Sequence, residues 1–209
     1  MKRIAILLTA LLASRWSAGA QEKATYAVDP ARSKVEIHVG KEGFFSAFGH
    51  DHLIAAKDVS GEAQVNPQKI EESSVVLAIA AKSLTVLDPG ESEKDKAEVQ
   101  KTMLGDKVLD VEKYAEIRVT STRVASAKKT SDGWELTLEG KLSLHGVEKT
   151  ARFPLRLRLD ADTLRAQGEV SLLQTDYGIT PVKVGGGAVK VKDKLKITFD
   201  IAAGKKHPE

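Results

Sequence analysis

The chain has 209 residues, with 32 Lys and Arg against 29 Asp and Glu for a formal charge of +3, and it has no cysteine. The lack of cysteine excludes a disulfide scaffold, a thiol nucleophile and a lipid-modified cysteine, so burial alone must hold the fold. The near balance of charge excludes the broad basic footprint of a nucleic-acid binder.

The N-terminus reads as a targeting segment. Lys2 and Arg3 are followed by the apolar run Ile4 to Ala13 and then by the small residues Ala18, Gly19 and Ala20. That pattern is a secretory signal peptide over residues 1–20, too short and wrongly flanked for a membrane span. Removing Lys2, Arg3 and Arg15 from the 32 basic residues leaves 29, equal to the 29 acidic ones. The expectation is one domain over residues 21–209, in the periplasm or secreted, with no transmembrane segment.

From Thr25 onward, period-two alternation predicts strands. Val35, Ile37 and Val39 alternate with Lys34, Glu36 and His38. Val75 to Ala81 is apolar at nearly every position, which predicts a strand buried on both faces. Glu91 to Leu104 breaks the pattern: it is rich in helix formers, begins near Ser92 with Asp95 three residues on, and meets Gly105 as a C-cap. Its few apolar residues (Ala97, Val99, Met103, Leu104) place it on a surface or rim.

Ile117 to Val124 resumes the strands, and two long runs follow. Leu136, Leu138, Leu142 and Leu144 oppose Thr137, Glu139, Lys141, Ser143 and His145. Phe153, Leu155, Leu157 and Leu159 oppose Arg152, Arg156, Arg158 and Asp160. The connection around Gly146 to Lys149 predicts a hairpin, with the arginines on its solvated face. Leu164 to Leu172 and Val189 to Ile201 alternate in the same way. About eight antiparallel strands make a sandwich or a closed barrel. Small residues among the inward candidates (Ala63, Ala81, Gly140, Ala166, Gly168) and few aromatics favour a barrel with a lumen.

Few residues ask for chemistry. His50-Asp51-His52 puts two imidazoles on one side of an extended segment, a spacing that suits a metal, with His145, His38 or Asp51 as further ligands. The same histidines also suit a ligand mouth or a structural role. His145-Gly146 reads as turn geometry, and Gly185-Gly186-Gly187 lacks the Lys-Ser/Thr of a phosphate loop. No Gly-x-Ser-x-Gly is present.

Several segments in order resemble the YceI-like family. They are Tyr26-Ala-Val-Asp29-Pro with Ser33-Lys-Val35-Glu-Ile37, Val59-Ser-Gly61-Glu-Ala, and Val108-Leu-Asp-Val-Glu-Lys-Tyr114 with Glu116-Ile117-Arg-Val-Thr-Ser121-Thr. Gly140-Lys-Leu-Ser-Leu-His145-Gly146-Val147-Glu-Lys149 and Thr175-Asp176-Tyr177-Gly178-Ile179 complete the set. The chain departs from the family pattern at Lys41, at Ala115 and across Phe44 to Ile54. The resemblance implies an extended antiparallel lipocalin-like barrel with a helix near one end, and a tunnel for polyisoprenoid or related lipids.

On that basis the expected function is a non-catalytic carrier for an isoprenoid, an isoprenoid quinone or a fatty-acid-like lipid, with no required cofactor. Wall residues are expected among Leu136, Leu138, Leu142, Leu144, Phe153, Leu155 and Val170. Mouth residues are expected among Phe44, Phe45, Phe48, His50 and His52. Edge strands could pair two barrels as a homodimer. The competing expectation is a metal-binding protein or small metal-dependent hydrolase built on His50 and His52 with His145.

Overall fold

A computed structural model describes residues 23–42, 51–187 and 189–207. The signal-peptide expectation for residues 1–20 therefore lies outside the described residues. The strands are β1 (Ala24–Val28), β2 (Lys34–Glu42), β3 (His52–Ala56), β4 (Val59–Val65), β5 (Ser74–Ala80), β6 (Leu84–Val86), β7 (Glu116–Thr130), β8 (Gly133–Leu144), β9 (Val147–Leu159), β10 (Thr163–Leu173), β11 (Lys183–Val184) and β12 (Val189–Lys205), with one helix, α1 (Glu93–Leu104), between β6 and β7.

The sheet is antiparallel throughout and closes on itself as an eight-stranded barrel with extra strand segments. The segments arise from bends. β1 and β2 both pair with β12, β3 and β4 pair with β2 and β1, and β6 and β5 pair with β3 and β4. Each pair of segments is thus one barrel strand broken near its middle. The remaining staves, β7, β8, β9, β10 and β12, follow in chain order, and β1 and β2 against β12 close the ring. Closure leaves each strand one face toward the interior and one toward water, which is why period-two alternation was so legible.

The same closure corrects the expectation for Val75 to Ala81. No second layer covers the outside, so β5 is not buried on both faces. Val75, Leu77 and Ile79 turn inward, while Val76 is 38% exposed. The β8–β9 connection is also tighter than expected. β9 starts at Val147, so Glu148 and Lys149 belong to the strand, and the turn is His145-Gly146 alone. Both turn residues have positive φ, +51° and +74°, the pattern of a type I′ hairpin that matches strand twist. His145 tolerates this because its Nδ1 lies 3.1 Å from the Tyr177 carbonyl oxygen and its ring packs edge-on to Tyr114, 4.6 Å between centroids.

Helix α1 begins as expected. The Ser92 hydroxyl accepts from the Asp95 backbone N–H and donates to the Asp95 carboxylate, 3.2 and 2.6 Å. Its end is different: Gly105 is extended (φ −74°, ψ 177°) rather than left-handed. The helix is held to the sheet by Gln100. That amide donates to the Leu84 carbonyl and accepts from the Val86 N–H, 2.7 and 2.8 Å, and so occupies the open edge of β6 as a strand would.

Outside, the strand arginines pair with acids on neighbouring strands or turns: Arg123 and Arg152 with Glu139, Arg158 with Asp132 of the β7–β8 turn, Arg165 with Asp200. The face expected to be solvated is solvated, and its charges are paired with nearby acids.

Candidate functional site: an apolar lumen with a polar mouth

Inside the barrel lies a cavity of about 790 Å³, within the range of roughly 300–1,000 Å³ typical of ligand pockets. Its wall is built from the inward positions of the alternating strands. Leu136, Leu138, Leu142 and Leu144 of β8, Phe153 and Leu155 of β9, and Val170 of β10 all line it. These seven side chains therefore face the interior. Many inward side chains are only half-buried because they border the cavity.

The two ends differ. At one end, the turn Ile70–Glu72 folds over the opening and Ile70 packs with Tyr26, Val65, Leu136, Leu157 and Leu164. Asn66 fixes that turn. Its side-chain oxygen accepts from the Gln68 and Lys69 N–H groups, both at 3.1 Å, and its amide donates to Glu72. This end is a packed floor.

The other end is the mouth. Helix α1 lies at it, and Val99 and Met103 line the lumen there together with the polar residues Asp95 and Glu98 of the helix and Lys41, His52 and Lys190 of the strands. His52 is held by Asp88, whose Oδ2 is 2.7 Å from His52 Nδ1 and whose Oδ1 accepts from the Leu53 N–H at 2.7 Å. Lys190 pairs with Glu42 at 3.0 Å. Phe44, Phe45, Phe48 and His50 lie outside the described residues, so of the expected mouth residues only His52 is placed.

The metal expectation finds no support. Among the described residues no group of three His, Cys, Asp or Glu is arranged to hold an ion. His145, expected as a further ligand, instead sits in the β8–β9 turn bonded to Tyr177 and packed on Tyr114. The hydroxyl of buried Tyr177 is pushed above its ordinary pKa by burial, with nearby Asp176 adding to it. This corner is a structural clamp.

Three contributors went unseen in the sequence. Asp88, Gln100 and Pro154 are isolated polar or imino residues whose partners are 36, 14 to 16 and 14 residues away. Only Pro154 carried a usable signal, a proline inside a run that otherwise reads as a central strand.

An antiparallel barrel closed at one end, with an apolar cavity and a polar rim at the other, is a lipocalin-like binding barrel. The chain belongs to the YceI-like family, whose domain model matches residues 26–203. Among solved structures, BcnA of Burkholderia cenocepacia superposes with a TM-score of 0.67 at 20% identity, covering 84% of this chain and 99% of that one. The Campylobacter jejuni YCEI protein gives 0.53 at 14% identity, covering 74% and 85%. These likenesses establish the fold. No curated protein sequence matches the chain. Among the described residues no helix is long and apolar enough to cross a membrane.

Proposed function

We propose that this protein is an exported, non-catalytic carrier that holds the tail of a long-chain amphiphile in its lumen. The observation that carries the reading is the cavity of about 790 Å³ walled by leucine, valine, isoleucine and phenylalanine. Each methylene moved there from water contributes roughly 0.8 kcal/mol, so a five-carbon isoprene unit contributes a few kcal/mol before ordering costs. A wall of this kind grips by area and does not discriminate finely along the tail. Membership of the YceI-like family supports an isoprenoid or isoprenoid quinone as cargo. Export is supported by the basic and apolar pattern of residues 1–20.

The test is native mass spectrometry of residues 21–209, expressed with export and purified gently. The expected result is a mass excess of several hundred daltons that an organic solvent extracts. An excess matching one transition-metal ion would overturn the reading, as would a bare polypeptide that takes up no isoprenoid alcohol from vesicles.

A further inference from the structure

The barrel wall is not uniformly sealed. β8 and β9 pair along their whole shared length, from Trp134↔Leu157 to Leu144↔Val147. β10 and β12 pair from Thr163↔Gly204 to Leu173↔Lys194. Between β9 and β10, however, the ladder runs only from Leu164↔Leu159 to Gly168↔Leu155 and then stops. Beyond it, Val147 to Phe153 and Glu169 to Leu173 run without pairing to each other.

The stop has a local cause. The Pro154 carbonyl points at β10, because a Cβ built on Gly168 would stand 2.3 Å from that oxygen. Within a strand a residue's N–H and C=O point to the same side, so the N–H that Pro154 lacks is the one that would donate to β10. Below this residue β9 is an edge strand in the middle of a closed barrel. Phe153 on one bank and Val170 and Leu172 on the other line the lumen, and Val147 and Ala151 of β9 pack against the core beside them, so along this stretch side chains rather than a backbone ladder close the wall. Leu173, at the outer end of the β10 bank, is 41% exposed.

The far end of the seam is pinned. Lys149 Nζ on β9 lies 2.6 Å from Asp176 Oδ1, in the segment that follows β10. His145 beside it contacts the carbonyl of Tyr177 in that same segment. The seam is thus fixed at Pro154 and Gly168, and closed at the other end by an exposed ion pair.

We infer that the β9–β10 seam is a lateral portal, latched by Lys149 and Asp176, through which an apolar tail passes between the lumen and a bilayer. The inference rests on the carrier reading above. A bilayer is the source because a long apolar tail has a negligible free concentration in water. A sideways opening lets the tail transfer along its length, while the mouth under α1 requires it to enter end-on past Asp95, Glu98 and Lys190.

The chain has no cysteine, so a designed pair reports cleanly. A seam closed in the register of Leu155↔Gly168 would set Arg152 opposite Ser171, and both are exposed. The double variant Arg152→Cys/Ser171→Cys is oxidised, and the cross-link is verified by loss of free thiol. Uptake of a fluorescent farnesol derivative from phosphatidylcholine vesicles is then followed. Cross-linked protein is expected to load at least tenfold more slowly than the reduced form, and dithiothreitol is expected to restore the rate.

A second variant, Lys149→Gln, is expected to speed both uptake and release about two- to fivefold, the range set by an exposed ion pair, with unchanged retention at equilibrium. If the reduced form and the wild type load while the cross-linked form keeps pace, or if Lys149→Gln leaves both rates unchanged, the portal is wrong and the carrier reading stands. If the wild type itself takes up no probe, the carrier reading fails and takes the portal with it.

Discussion

Asp88 accepts from both the ring of His52 and the backbone of Leu53, each at 2.7 Å, while only 3% exposed and with a φ of +22°. One carboxylate therefore fixes the start of β3 to the loop that leads into α1. Removing it takes the partner from the part-buried Leu53 N–H and leaves the imidazole unheld. Asp88→Ala is expected to cost about 2–4 kcal/mol because it removes both hydrogen bonds, and His52→Ala about half as much because it removes one of them. Urea midpoints measure both. Equal costs would mean that Asp88 acts through His52 alone.

A charge in the lumen separates binding from folding. Leu155 lines the cavity but is only half-buried, whereas Leu142 is 6% exposed and packed in the main core. Leu155→Glu is expected to leave a folded barrel that retains no isoprenoid. Leu142→Ala is expected to lose about 2–4 kcal/mol of stability. Circular dichroism and solvent extraction of the purified variants distinguish the two effects. Full lipid retention by folded Leu155→Glu would show that the cargo sits elsewhere.

Gly168 is required by close approach. A methyl group there would meet the Pro154 carbonyl oxygen at 2.3 Å and the Phe199 ring at 2.5 Å. The ring can move and the backbone cannot. Gly168→Ala is expected to cost about 1–3 kcal/mol, the range for overpacking, and adding Phe199→Leu is expected to recover only part of it. Complete recovery in thermal melts would assign the whole constraint to the ring.

Stability is expected to fall in acid. Arg165, donating to both carboxylate oxygens of Asp200, holds that group below the usual range. Thr175 does the same for Asp193 through its hydroxyl and backbone N–H. A carboxylate depressed in the folded state stabilises fully above its unfolded pKa, near 3.9, and that contribution is lost as pH falls through the lower folded value. Urea midpoints should thus hold from pH 7 to about 5 and drop below about 4. Asp200→Asn should flatten the drop. An unchanged slope would show that Asp200 does not carry it.

Chelation is expected to do nothing. With no metal-holding cluster among the described residues, excess EDTA should leave the thermal midpoint and lipid retention of the wild type unchanged. A fall in either that added zinc reverses would return the weight to His50 and His52.

The class of fold and most of the wall were legible in the sequence. A closed single-layer barrel imposes one rule on every stave, inward apolar and outward polar, and that rule is local. Leu136, Leu138, Leu142, Leu144, Phe153, Leu155 and Val170 each announced their side by their neighbours two residues away. Ser92 with Asp95 marked the start of the helix in the same local way.

What only the tertiary structure decided depends on partners distant in the chain. Whether Val76 is covered depends on whether a second layer exists. The hold of His52 on Asp88 was not legible, since the two meet only after β3 and β6 pair. The type I′ turn at His145 is fixed by Tyr114 and Tyr177, which arrive from opposite sides of the hairpin. The unpaired seam needs both Pro154 and the register that sets it against β10. Alternation says which way a side chain points; only pairing says what it meets.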